Sequence, residues 1–128
     1  MKHILNQIET AVVESIKQKH YYTNIKIGTP EAFLMADDNE LPLILVSYIG
    51  AEPYNGLYPG NILFSVYFIS RRDDRKTIYD MMNEVYDKMQ NNSLSIMLNG
   101  SLRLQFDKFY KEDADYLIFE QRWLCTAC

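Results

Sequence analysis

Two apolar runs, Leu43–Ile49 (LILVSYI) and Asn61–Arg71 (NILFSVYFISR), flank a stretch rich in Pro and Gly. The first run is too short for an ordinary helix and is bounded by Pro42 and Gly50. It therefore reads as a buried strand. The second alternates: Leu63, Ser65, Tyr67 and Ile69 share one face, and Ile62, Phe64, Val66, Phe68 and Ser70 share the other. Both faces are largely apolar. Such a strand belongs in the middle of a sheet, covered on both sides by its own chain or in part by a neighbouring one. Ala51–Gly60 (AEPYNGLYPG) reads as a loop between the two strands.

The remaining pattern supplies helices and further strands. Ile4, Leu5, Ile8, Ala11, Val12, Ser15 and Ile16 predict a helix over 2–19, with Gln7, Glu9, Glu14, Lys17 and Gln18 on its wet face. Residues 23–28 alternate through Ile25 and Ile27 and predict a short strand, ended by Gly28, Thr29 and Pro30. Glu31–Asp38 fits a helical turn or a strand. Asp73 or Asp74 is expected to cap a helix over 74–90, with Thr77 and Asp80 as a capping-box alternative. Ile78, Met81, Met82, Val85 and Met89 form its apolar stripe, and its methionines fill the core. Ser93–Gly100 is a connector. Leu102, Leu104 and Phe106 alternate with Arg103, Gln105 and Asp107, and Tyr116–Cys125 alternates with Leu117, Phe119 and Trp123 on one face. Lys111–Asp115 is a polar, hairpin-like link. In a chain of 128 residues this order predicts one domain over 1–128. The expected class is α+β, a mostly antiparallel sheet of four to five strands flanked by two main helices. Leu45, Ile49, Phe64, Val66, Phe68, Met82, Val85, Leu104 and Phe119 are expected to be largely buried.

Charge narrows the function classes. The chain carries 13 Lys and Arg against 17 Asp and Glu, a net −4. That is a poor balance for gripping nucleic acid phosphates, so no sequence-specific nucleic acid partner is expected. No apolar run approaches the ~20 residues of a membrane span, and no secretory signal is visible, so no membrane partner is expected. Cys125 and Cys128 form a CxxC at the end of the sequence, the spacing of half a zinc site or of a redox pair. His3 and His20 are the only histidines to complete a zinc site, and no helix follows the motif to lower a thiol pKa, so both cysteines read as incidental thiols of an intracellular protein. Asp37, Asp38 and Glu40, and Glu112, Asp113 and Asp115, lack the spacing of a calcium loop and read as solvated turns. Arg71, Arg72, Arg75 and Lys76 make the basic cluster, interrupted by Asp73 and Asp74; it reads as a charged helix start, or as a docking patch for an acidic partner. Nucleophile elbows, phosphate loops and zinc-protease signatures do not occur. No catalytic, cofactor-binding or metal residue is therefore expected, and no enzyme. The ten tyrosines are an unusual number; their apolar bodies and polar tips suit protein interfaces as well as an aromatic core.

The order of elements, with LVSYIGAEP (Leu45–Pro53) and FSVYFISR (Phe64–Arg71) as strand motifs, resembles the small tail-terminator or tail-completion proteins of contractile and long-tailed phages. The Mu-like prophage minor tail family is the nearest of these. The resemblance covers nearly the whole chain as an order of elements, and Leu45–Glu52 and Phe64–Arg71 at the level of residues. It implies a structural role: a ring, usually hexameric, that caps the finished tail tube and presents a surface to the head–tail connector. It also implies a place in the virion tail, in the host cytoplasm during assembly, with no cofactor. Its partners would be further copies of itself, the tail tube protein and the connector. Tyr54, Leu57 and Tyr58 are the expected contact residues, with Arg71 and Arg72 as further interface candidates. About six copies of a chain with net −4 would sum to about −24, and an acidic lumen would let DNA slide past. Readings from other classes are a small acidic immunity or inhibitor module, a head–tail connector component, and an enzyme using the terminal thiols.

Overall fold

The computed structural model describes residues 9–10, 12–14, 24–33, 41–54, 57–90, 102–112 and 115–125. For residues 32–33, 52–54, 57–60 and 88 it describes the backbone alone. Residues 9–10 and 12–14 are helical and form α1. Next along the chain come β1 (Ile25–Ile27), α2 (Pro30–Phe33), β2 (Leu43–Tyr54), β3 (Leu57–Arg71), α3 (Arg75–Met89), β4 (Leu102–Glu112) and β5 (Tyr116–Cys125). The five strands make one sheet in the order β1-β2-β3-β5-β4.

The apolar runs pair as expected, antiparallel from Leu43 opposite Ile69 to Tyr48 opposite Phe64. β3 is central, with β5 antiparallel on its other side and β4 antiparallel beyond that. The expectation of a mostly antiparallel sheet flanked by helices needs refinement, because β1 runs parallel to β2 and the sheet is mixed. Direction is invisible in a three-residue alternation; a parallel partner requires a crossover, and residues 28–42 supply it.

One face carries the main core. Ile44 and Val46 of β2, Phe64, Val66 and Phe68 of β3, and Leu117, Trp123 and Cys125 of β5 pack against Val12 and Val13 of α1. Ile78, Met81, Met82, Val85 and Met89 of α3 close the same cluster, so both helices lie on this face. The opposite face holds Leu43, Leu45, Tyr67, Ile69 and Ile118, with Leu41, Tyr110 and Tyr116 at its margin. Part of its cover comes from the crossover, where Glu31 of α2 accepts a 2.5 Å hydrogen bond from the Tyr110 hydroxyl. β3 is thus covered on both faces between Phe64 and Ser70 by its own chain. A neighbouring chain is not needed to cover it.

Several expectations require correction, and β-bulges explain most of them. Ile49 is 41% exposed because it is the extra residue between the Tyr48–Phe64 and Gly50–Leu63 pairs. A second irregularity between Leu104 and Phe106 turns Phe106 off the face shared by Leu102 and Leu104. Phe106 lies opposite Arg122, whose guanidinium sits 5.0 Å from its ring. Leu104 and Phe119 are only half-buried, the first on an edge strand and the second beside a groove. Residues 51–54 and 57–60 are strand and not loop. Their backbone continues both strands, with Tyr54 opposite Leu57. The helix expected over 74–90 runs from Arg75 to Met89, and Asp74 is its N-cap residue. The Asp74 side chain makes no capping bond; its carboxylate accepts the Thr77 hydroxyl at 2.8 Å instead.

Candidate functional site

β3 begins at Leu57, but its first β5 partner is Ile62. Residues 52–54 and 57–61 therefore leave the sheet as a two-stranded arm, paired through Glu52–Asn61 and Tyr54–Leu57 with no further strand beside them among the described residues. At the usual rise the β3 half of the arm spans about 16 Å. A lone hairpin of this kind is marginal in water and gains stability from whatever packs against it. Tyr54, Leu57 and Tyr58 all lie on this arm. The fold brings the three together at one end of the β2–β3 pair.

Arg71 ends β3 and Arg72 opens the turn that leads into α3, at the opposite end of the strand. Both are exposed. Arg72 holds Glu112 at 2.5 Å through Nε, and its backbone N–H donates to the Asp115 carbonyl. Arg75 donates to the Tyr79 hydroxyl, and Lys76 pairs with Asp80 one helical turn on. Arg72, Arg75 and Lys76 are thus taken up in local pairings, and the cluster does not join the tyrosines of the arm in one site.

Sequence reasoning missed a third feature. An open groove of about 330 Å³ runs between α3 and the sheet, lined by Tyr79, Met82, Asn83, Asp107, Lys108 and Phe119. The Phe119 ring takes edge contacts from Tyr79 at 5.5 Å and Phe109 at 5.8 Å. Phe109 is 48% exposed and Tyr79 42%. The signal that would have found it is Phe109, an aromatic among charged residues of β4; the bulge that places it opposite Phe119 is silent in the sequence.

Beneath the other face lies a polar group. Ser65 donates to Glu120 at 2.6 Å, and Arg122 reaches the same carboxylate at 3.0 Å. Glu120 is 2% exposed. Burial, reinforced by the Glu120 charge, pushes the Tyr67 hydroxyl pKa up. Tyr110 stands 5.1 Å from the Tyr67 ring and is held at about 12 by its bond to Glu31. Both tyrosine hydroxyls are thus held protonated. Cys125 is buried in the main core, while Cys128, both histidines, Asp37, Asp38, Glu40 and Asp113 lie outside the described residues. Among the described residues no three His, Cys, Asp or Glu side chains gather as a metal site, and no helix is long and apolar enough to cross a membrane.

No family model matches the chain, and no curated protein matches it. Its fold is similar to that of a solved chain described as "Virion of native gene transfer agent (GTA) particle". The two superpose with a TM-score of 0.62 over 93% of this chain and 92% of the other, at 15% identity. At that identity the likeness concerns the fold, which the two chains share over most of their length.

Proposed function

We propose that this protein is a non-enzymatic structural component of a phage-like virion, and that it acts as a tail terminator, capping the tail tube and joining it to the head. The observation that carries this reading is the fold likeness, over most of the chain, to a chain of a gene transfer agent virion. The β2–β3 arm is compatible with assembly, because Tyr54, Leu57 and Tyr58 fall on a two-stranded arm with no further strand beside it among the described residues. A cap must stop growth, so the copies would close into a ring by a head-to-tail contact. The tail tube and the head–tail connector are then its two neighbours.

Tube growth tests this. Protein added to polymerising tail tubes should arrest elongation and shorten the length distribution. Changing Tyr54, Leu57 and Tyr58 together to Ser should abolish arrest and leave the circular dichroism spectrum unchanged. Tubes that lengthen equally with and without the wild-type protein would contradict capping. Binding to the connector alone would make the chain a connector component.

A further inference from the structure

We propose that a single water molecule is held inside the seam between α3 and β5, where it bridges the Trp123 indole N–H and the Gln121 side-chain carbonyl. The site belongs to the packed domain itself and does not depend on the tail reading. Both side chains lie on the face that α3 covers, two positions apart on β5. Gln121 is 1% exposed and Trp123 0%. Among the described residues, neither Gln121 Oε1 nor Trp123 Nε1 meets a hydrogen-bond partner. The first accepts and the second donates. Buried polar atoms are seldom left unserved in a native core, and an internal water is the usual partner where protein groups supply none.

The neighbours exclude the simpler answers. Gln121 Nε2 donates to the Met82 carbonyl at 3.0 Å. That bond fixes which way the amide lies, because a flipped amide would set two carbonyl oxygens together. Oε1 therefore needs a donor elsewhere. In the sheet Gln121 stands between Val66 and Asp107, an apolar side chain and a carboxylate, and neither donates. Trp123 stands between Phe64 and Leu104, and neither side chain accepts. The Tyr86 ring lies 6.2 Å from the indole, but the two planes are 36° apart. An N–H in the indole plane does not aim at the face of a ring so nearly parallel to it. Gln121 and Trp123 are left with each other. Positions two apart on a strand are about 6.6 Å apart, and their side chains stand roughly perpendicular to the sheet. One hydrogen bond of about 2.9 Å falls short of that span, whereas two through one water cover most of it. Water also has a way in. The open groove is lined by Met82, which Gln121 bonds, by Asp107, its β4 partner, and by Phe119, its neighbour on the same face of β5.

The chain has one tryptophan, so its indole proton is unambiguous in a spectrum. In NOESY and ROESY spectra of the ¹⁵N-labelled full chain, Trp123 Hε1 should give a cross-peak at the water frequency with opposite signs in the two experiments. Opposite signs mark a held water, and equal signs mark proton exchange. A crystal structure that shows ordered water should place one molecule within about 3.2 Å of both Trp123 Nε1 and Gln121 Oε1. Gln121→Leu should remove the cross-peak; if that variant does not fold, the wild-type spectra and the crystal structure decide. No cross-peak in the wild type, or one of equal sign in both spectra, overturns the assignment. So does a crystal structure in which Trp123 Nε1 bonds Gln121 Oε1 directly, or bonds a water that does not reach Gln121. A cross-peak that persists in a folded Gln121→Leu chain also overturns the bridge, because its acceptor would then lie elsewhere.

Discussion

Glu120 and Arg122 are two residues apart on β5 and share one face, yet only one of them reaches water. A carboxylate that is 2% exposed is tolerable because Ser65 and Arg122 both bond to it. Arg122→Ala should therefore destabilise the fold by about 3 kcal/mol, since it strands the charge; urea unfolding measures this. Replacing Glu120 and Arg122 together with Leu should cost less than the single change, and an equal or larger loss would show that the pair itself is net stabilising. Tyr110 and Glu31 give a second prediction at this scale. Their hydrogen bond lowers the Glu31 pKa from 4.5 and raises Tyr110 from 10.0 to about 12. For Glu31 the stabilisation is present above 4.5 and lost as pH falls through the lowered folded value. For Tyr110 it is present below 10.0 and lost as pH rises through about 12. In a ¹³C-tyrosine NMR titration Tyr110 should titrate near 12 and move back toward 10.0 in Glu31→Ala. A wild-type value near 10.0 would show that the bond does not form. Most buried positions at this scale were legible, because Phe64, Val66, Phe68, Met82 and Val85 obey simple periods. Ile49 and Phe106 were not, since a bulge inserts one residue and turns the later ones to the opposite face.

Helix α3 shows what periodicity settles and what it leaves open. Its stripe of Ile78, Met81, Met82, Val85 and Met89 predicts the face that packs on the sheet, and all five are buried. Met81→Ala should cost about 2–5 kcal/mol, read as a lower urea midpoint with an unchanged slope. The N-terminus behaves differently. Asp74 occupies the cap position, but its carboxylate is engaged by the Thr77 hydroxyl and not by a backbone N–H. Asp74→Ala should therefore cost less than the ~1 kcal/mol of an ordinary cap. A loss of about 2 kcal/mol would mean that the capping bond forms in solution. β1 and the arm were harder to read. The three residues of β1 give no direction, and its parallel pairing depends on a crossover whose contact with Tyr110 spans 79 positions. The two prolines and two glycines of 51–60 imply a loop by composition, whereas the register carries both strands through them. Pro53 falls at the register shift between Glu52 and Tyr54, where a missing N–H is tolerated.

At the scale of the whole molecule, the domain is a mixed five-stranded sheet with two faces covered from within, so its assembly surfaces must be sought at the margins. The arm leaves one end of β2 and β3, Arg71 and Arg72 mark the other end of β3, and the aromatic groove runs along the β4 edge. Each lies at the periphery of the sheet. The apolar character of β3 left room for a neighbouring chain as its cover, but its residues from Phe64 to Ser70 are buried within its own chain. The set of tyrosines on the arm was legible in the sequence. The aromatic groove was not, because it exists only once α3, β4 and β5 are packed. Electron microscopy of tail tubes incubated with gold-labelled protein tests the central claim most directly. Label should sit at one end of each tube with none along its length, and end label should be lost in the Tyr54, Leu57 and Tyr58 to Ser variant. Label scattered along the tube wall, or absent from tubes at every protein concentration, would contradict it.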